Sequence, residues 1–181
     1  PGDQDGAMAV EVVRSSTVEA TPEEVWAAVS TFNGVNAELR PFVVMRGPTA
    51  LRGRTLESLE AGDRATCTML AGGIVPCDRH RLGFESVTPG SGFVEESTSW
   101  LQKRWRHERT IEADGTGAKV TDRVTAEPRV GFAAPVVRFV VGRLFTHRHR
   151  RLVRNFSAAG RTEATRWTSE DLPSLVEQDL T

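Results

Sequence analysis

The chain has 181 residues, 39% of them apolar and 26% charged, a size and balance suited to one soluble domain with a core of its own. A formal charge of -1 excludes a global field drawing the protein to nucleic acid or anionic lipid, so any such attraction has to come from a local patch. Cys67 and Cys77 are too few and too far apart for a disulfide scaffold or a CxxC site, and no run of about 18 apolar residues occurs, so the expected setting is a reducing cytoplasm without stable membrane insertion.

Residues 1–8, PGDQDGAM, lack an apolar leader core and read as a leader remnant or a disordered start; the opening Pro implies that something upstream has been removed. Val10 to Val18 alternates as a first strand. Thr21-Pro22-Glu23-Glu24 then opens a helix: Thr21 can cap it, Pro22 suits its first position, and Glu24 completes a capping box. Val25, Trp26 and Val29 form its apolar side, Asn33-Gly34 should end it, and a second short helix from Val35 to Leu39 stops before Pro41.

From Pro41 to Met45 onward the chain reads as antiparallel strands punctuated by Gly47-Pro48, Gly62-Asp63, Gly72-Gly73, Pro89-Gly90 and Asp114-Gly115. The expected strands are Arg64 to Leu70, Arg79 to Thr88, Phe93 to Trp100, Arg104 to Glu112 and Lys119 to Glu127, while Leu51 to Glu60 fits a loop or a short helix. Phe132 to Phe156 is the longest helical pattern. At about 100° per residue, Val137, Val141, Leu144, Phe145, Leu152 and Phe156 share one stripe, and Arg143, His147, Arg150 and Arg154 lie opposite. Arg148 falls inside the apolar stripe and demands a partner, for which Asp122 is the first candidate and Glu96 the second. Residues 159–181 turn polar and acidic, a loosely held tail after a domain spanning 9–158.

A strand, two short helices, an antiparallel meander and one long closing helix is an α+β order. With TPEEVWAAVSTF, PGSGFVEES, WRHERTIE, TDRVTAEP and LFTHRHRRLVRNF, the stretch from Val10 to Phe156 resembles the SRPBCC superfamily, the START and Bet v 1-like helix-grip domains, particularly the polyketide cyclase/dehydrase-like branch. The resemblance implies a curved antiparallel sheet wrapped around the last helix, with an apolar cavity between them. It does not select a reaction, because the superfamily mixes carriers, enzymes and sensors.

Strand parity identifies the polar groups that face that cavity. In Arg104 to Glu112 the set Trp105, His107, Arg109, Ile111 points inward; in Lys119 to Glu127 it is Val120, Asp122, Val124, Ala126; in Arg79 to Thr88 it is His80, Leu82, Phe84. The ligand-facing set is therefore His80, Phe84, Trp105, His107, Arg109, Val141, Phe145 and Arg148. Two uses compete for its charged members: polarising or anchoring a ligand, or an internal ion pair of Asp122 with Arg109 or Arg148 that ties helix to sheet. Trp26, Trp100, Trp105, Met45 and Met69 read as core or cavity wall, and Cys67 as a small buried filler.

The first functional reading is a binder of a small or medium hydrophobic molecule, of lipid, polyketide or isoprenoid type. The second is a cyclase/dehydratase-type enzyme, with His107 as general acid or base and Arg109 or Arg148 stabilising negative charge. The third is an interaction module using the basic helix face, whose Arg143, Arg150, Arg151 and Arg154 lack the interleaved aromatics of a base-stacking surface, so no nucleic-acid partner is expected. His147 and His149 diverge on a helix and cannot share a metal ion, and no motif for a cofactor is present.

Overall fold

The computed structural model describes residues 9–49, 54–58 and 64–157. Residues 1–8 and 158–181, on which the expected boundaries and the polar tail fall, lie outside this range. Seven strands form one antiparallel sheet: β1 (Val10–Val18), β2 (Val43–Arg46), β3 (Arg64–Ala71), β4 (Val75–Thr88), β5 (Gly92–Ser99), β6 (Gln102–Asp114) and β7 (Gly117–Pro128), in the order β1-β7-β6-β5-β4-β3-β2. Two short helices, α1 (Pro22–Val29) and α2 (Phe32–Leu39), follow β1, and the long α3 (Ala134–Phe156) follows β7.

The capping box forms as expected. Glu24 N–H donates to Thr21 Oγ1 at 3.3 Å and Thr21 N–H donates to a Glu24 carboxylate oxygen at 2.8 Å. Such a cap contributes about 1 kcal/mol. The far end of α1 differs from expectation: it stops at Val29, and Asn33-Gly34 lies within α2, which Thr31 caps through Gly34 N–H at 3.0 Å. Glycine is needed at 34 for packing, because a Cβ there would sit 1.8 Å from Ala28 O. The two helices thereby turn back on each other within two residues.

β3, β4, β6 and β7 each run one to several residues beyond their sequence patterns, β5 keeps the expected length but starts and ends one residue earlier, and β2 is confined to Val43–Arg46. Leu56–Ser58 is a single 3-10 turn, and the rest of the ambiguous 51–60 stretch lies outside the described residues apart from 54 and 55. Alternation on β6 and β7 holds: His107, Arg109, Ile111, Val120, Asp122, Val124 and Ala126 are all buried. α3 packs chiefly on β1, with smaller contacts to α2 and β7. One core cluster gathers Val25, Trp26 and Val29 of α1 with Ile111, Val120 and Leu152; another joins Val10, Val12 and Val124 to Val141 and Phe145.

Two side-chain expectations fail. Trp100 is not wall but 63% exposed, because it sits in the tight turn between β5 and β6. The outer face of α3 is not uniformly basic: in its first half Val136, Phe139 and Val140 are exposed beside Arg138 and Arg143. Among the described residues no helix is long and apolar enough to cross a membrane.

Candidate functional site

Between the concave face of the sheet and α3 lies a cavity of about 440 Å³. α2 contributes Phe32, Val35 and Leu39; β2 and β3 contribute Val43, Met45 and Met69; β4 to β6 contribute Leu82, Phe84, Phe93 and Trp105; α3 contributes Val141, Leu144 and Phe145. All eight residues of the ligand-facing set, His80, Phe84, Trp105, His107, Arg109, Val141, Phe145 and Arg148, line this one space. Aromatic edges order its wall: Phe93 and Phe145 each meet the His107 ring at a centroid distance of 5.1 Å, and Trp105 meets His80 at 5.9 Å.

One side of the cavity is built on charge. Arg109 makes four hydrogen bonds: Nε and Nη2 donate to the two oxygens of Asp122 at 2.7 Å, while Nη1 and Nη2 donate to the two oxygens of Glu38 at 2.8 and 2.9 Å. The two carboxylates thus grip the guanidinium from both sides, in the bidentate geometry that best offsets loss of water. Cross-strand register places Arg109 opposite Asp122. It is also opposite Phe93 on β5, just beyond Gly92, whose φ of 144° and whose absent Cβ, which would lie 1.9 Å from Arg109 O, let that strand start against it.

Arg148 finds its partner in Glu38. Its Nε donates to Glu38 Oε2 at 3.0 Å, and its guanidinium carbon stands 4.8 Å from the Phe145 ring centre. This corrects the expected pairing with Asp122 or Glu96. Asp122 is spent on Arg109, His107 and His149, and Glu96 points to the outer surface, where it pairs with Arg104 and Arg106. Of the internal ion pairs expected for Asp122, the one with Arg109 forms.

The histidines extend the cluster. His107 Nε2 donates to Asp122 Oδ1 at 2.8 Å, and its Nδ1 lies 3.7 Å from Glu95 Oε2. His149 Nε2 donates to Asp122 Oδ2 at 3.1 Å, and its Nδ1 lies 2.7 Å from Ser16 Oγ, so α3 is stitched to β1. Glu95 in turn accepts from His80 Nε2 at 2.9 Å and from Ser97 Oγ at 2.7 Å.

Burial alone would raise the carboxyl of Asp122, yet Arg109 beside it and the His107 contact hold it well below the usual carboxylate range. Glu38 is likewise lowered, burial being outweighed by Arg109 and Arg148, and Glu95 is lowered by its two histidines against the same desolvation. Burial disfavours the charged ring of His80, but the Glu95 hydrogen bond and charge prevail and raise its pKa. The Cys67 thiol is pushed up to about 12, by burial first and the Glu95 charge second, which leaves it an inert filler. Among the described residues no group of three or more metal-ligating side chains could hold an ion.

Glu38, Glu95 and His149 belong to the site and escaped the sequence reading. Two of them carried a usable signal: Glu38 lies three residues after Val35 on the same helical face, and Glu95 shares the parity of Phe93. His149 lies one position beyond the stripe that was traced, on the side of α3 that meets β1.

A family model described as "Domain of unknown function (DUF8410)" matches residues 16–156. None of the curated proteins matches the sequence. Among solved structures, protein CV1439 from Chromobacterium violaceum superposes with a TM-score of 0.65 at 12% identity, over 81% of this chain and 97% of that one. A START superfamily protein from Mycobacterium smegmatis gives 0.59 at 14% identity, over 86% and 98%. The di-domain ARO/CYC StfQ from the steffimycin biosynthetic pathway gives 0.59 at 11% identity, over 88% of this chain and 53% of that one. These likenesses show the fold, which is the helix-grip fold.

Proposed function

From a chain that belongs to the DUF8410 family and has the helix-grip fold, we propose a binding protein that holds a small or medium hydrophobic molecule, of lipid, polyketide or isoprenoid type, between the sheet and α3. The observation that carries this reading is the cavity of about 440 Å³, walled mainly by aliphatic and aromatic side chains contributed by every layer of the domain. The free thiol of exposed Cys77 supports placing the protein in a reducing, cytoplasmic compartment.

Burial of apolar surface is the driving force, so a neutral apolar dye such as Nile red is expected to bind saturably, with an affinity that changes less than about twofold between roughly 0.05 and 0.5 M salt. Titration by fluorescence checks this. Absence of saturable binding, together with absence of any co-purified small-molecule mass under native mass spectrometry, would reject the binding reading.

The cyclase/dehydratase reading ranks second because the groups it needs are engaged elsewhere: Arg109 spends its donors on two carboxylates, and both ring nitrogens of His107 face acids. His107→Ala is accordingly expected to cost about 2 kcal/mol of stability, by leaving buried Asp122 short of a donor and emptying the space between Phe93 and Phe145. Denaturant unfolding decides. Unchanged stability combined with lost turnover of a polyketide-like substrate would favour the enzyme instead. Beside the exposed Arg143, Arg150 and Arg154 stands one exposed aromatic, Phe139, a turn before Arg143, where a base-stacking surface interleaves several, and no nucleic-acid partner is proposed.

A further inference from the structure

Gln102 stands at the start of β6, lines the cavity and is 7% exposed, yet its Oε1 is buried with no hydrogen-bond partner, the sole such side-chain atom among the described residues. Its presence inside is not what strand parity dictates. Counting back by twos from the outward Arg106 and Arg104 puts residue 102 outside, but the β6–β7 register slips between Gln102 and Arg104, so that Lys103 and Arg104 both face solvent while Gln102 and Trp105 both turn in. A bulge has re-aimed one amide into the cavity wall. The backbone holds it there: Gln102 N–H donates to Ser99 Oγ at 3.1 Å, and Pro128, opposite it on β7, has no N–H to offer.

An acceptor buried without a donor is costly, and a ligand that supplies the donor recovers that cost. The buried charges, by contrast, need nothing from a ligand. Glu38 and Asp122 are matched by Arg109 and Arg148, and Glu95 by His80. Of the further cavity-lining cations, Arg54 is bonded to Ser58 and Arg64 is exposed at the start of β3, where solvent screens it.

Resting on the binding reading above, we propose that the resident ligand is an uncharged molecule bearing a hydroxyl, and that the hydroxyl donates to Gln102 Oε1 while the apolar body runs along β6 toward Phe145. The seven steps from Gln102 to Arg109 span about 20 Å of strand, which separates this polar contact from the Glu38–Arg109–Asp122 end of the charged cluster, while His80, opposite Ser99, lies at the near end and is matched by Glu95.

The test compares three probes of one chain length, 1-dodecanol, its methyl ether and dodecanoate, by displacement of Nile red from the intact protein. The alcohol is expected to bind roughly tenfold more tightly than the ether, which cannot donate, and more tightly than the carboxylate. Gln102→Met, close in volume and without an oxygen acceptor, is expected to bring alcohol and ether together, each displacement being referred to the Nile red affinity measured for that variant. Alcohol and ether of equal affinity in the natural protein, tightest binding of dodecanoate, or an alcohol preference that survives Gln102→Met would each overturn the assignment, and with Nile red still bound would leave the cavity reading standing. Failure of Nile red itself to bind would sink both. The comparison of the three probes on the unaltered protein needs no variant to fold.

Discussion

Arg109→Met is expected to remove about 4 kcal/mol of stability and lower the thermal midpoint by roughly 10 °C, the largest loss from any single substitution in the sheet. The reason is asymmetry. Arg109 is 2% exposed and is the shared counter-ion of Glu38 and Asp122, so its removal leaves Glu38 with Arg148 alone and Asp122 with His107 and His149, neither carboxylate having a path to water. Removing the carboxylates as well, in Glu38→Gln/Arg109→Met/Asp122→Asn, should recover a substantial part of the loss. Denaturant unfolding of the series measures it, and a loss under about 1 kcal/mol for Arg109→Met would mean that the cluster is solvated after all. The same assay checks the partner of Arg148: Glu38→Gln and Arg148→Met should couple by more than about 1 kcal/mol, whereas Asp122→Asn and Arg148→Met should be closer to additive.

Acid should unfold this protein steeply. Glu38, Glu95 and Asp122 all have pKa values held below their ordinary ones in the folded state. In the unfolded chain they take up protons near pH 4, so below that point the unfolded state binds more protons and is favoured as pH falls further. The stability they contribute is complete above about pH 4 to 5 and is lost as pH drops toward their folded values. Each adds about 1.4 kcal/mol per pH unit, so the three together give a slope of roughly 4 kcal/mol per unit. His80 acts at the other end: its raised pKa makes the His80–Glu95 pair fully stabilising below about pH 6.5 and progressively less so as pH rises through the folded value. Unfolding free energies measured from pH 3 to pH 8 check both limbs; a flat acid limb would show that the three carboxyls titrate normally.

How much of this was readable in the residues depends on the kind of information each position carries. The capping box at Thr21 and the alternation of Trp105, His107, Arg109 and Ile111 are local, and local patterns suffice to orient a side chain. They place Asp122, Arg109, His107, His80 and Arg148 in one interior, where all five are buried. Who meets whom is not local. Glu38 reaches Arg109 across 71 residues and Arg148 across 110, and nothing in an eight-residue helix states which strand it will face. Proximity in chain order therefore pointed Arg148 at Asp122, and Arg109 was already there. Gln102 was illegible for a different reason: parity is reversed by a single slip of register, and such a slip leaves no mark in a sequence that still alternates on either side of it.

Sheet order has a consequence for how the protein comes to exist. β1 is made first but pairs only with β7, Val10 against Ala126 through Val18 against Ala118. During synthesis at about 5–20 residues per second, the first strand waits some 5–20 s for the strand that will cover it, with Val10, Val12 and Val18 exposed to any passing edge. Glu11 and Arg14 lie among those valines, and charge on an unpaired strand discourages pairing with strangers. The nascent chain thus carries its own protection through the interval in which the sheet cannot yet close.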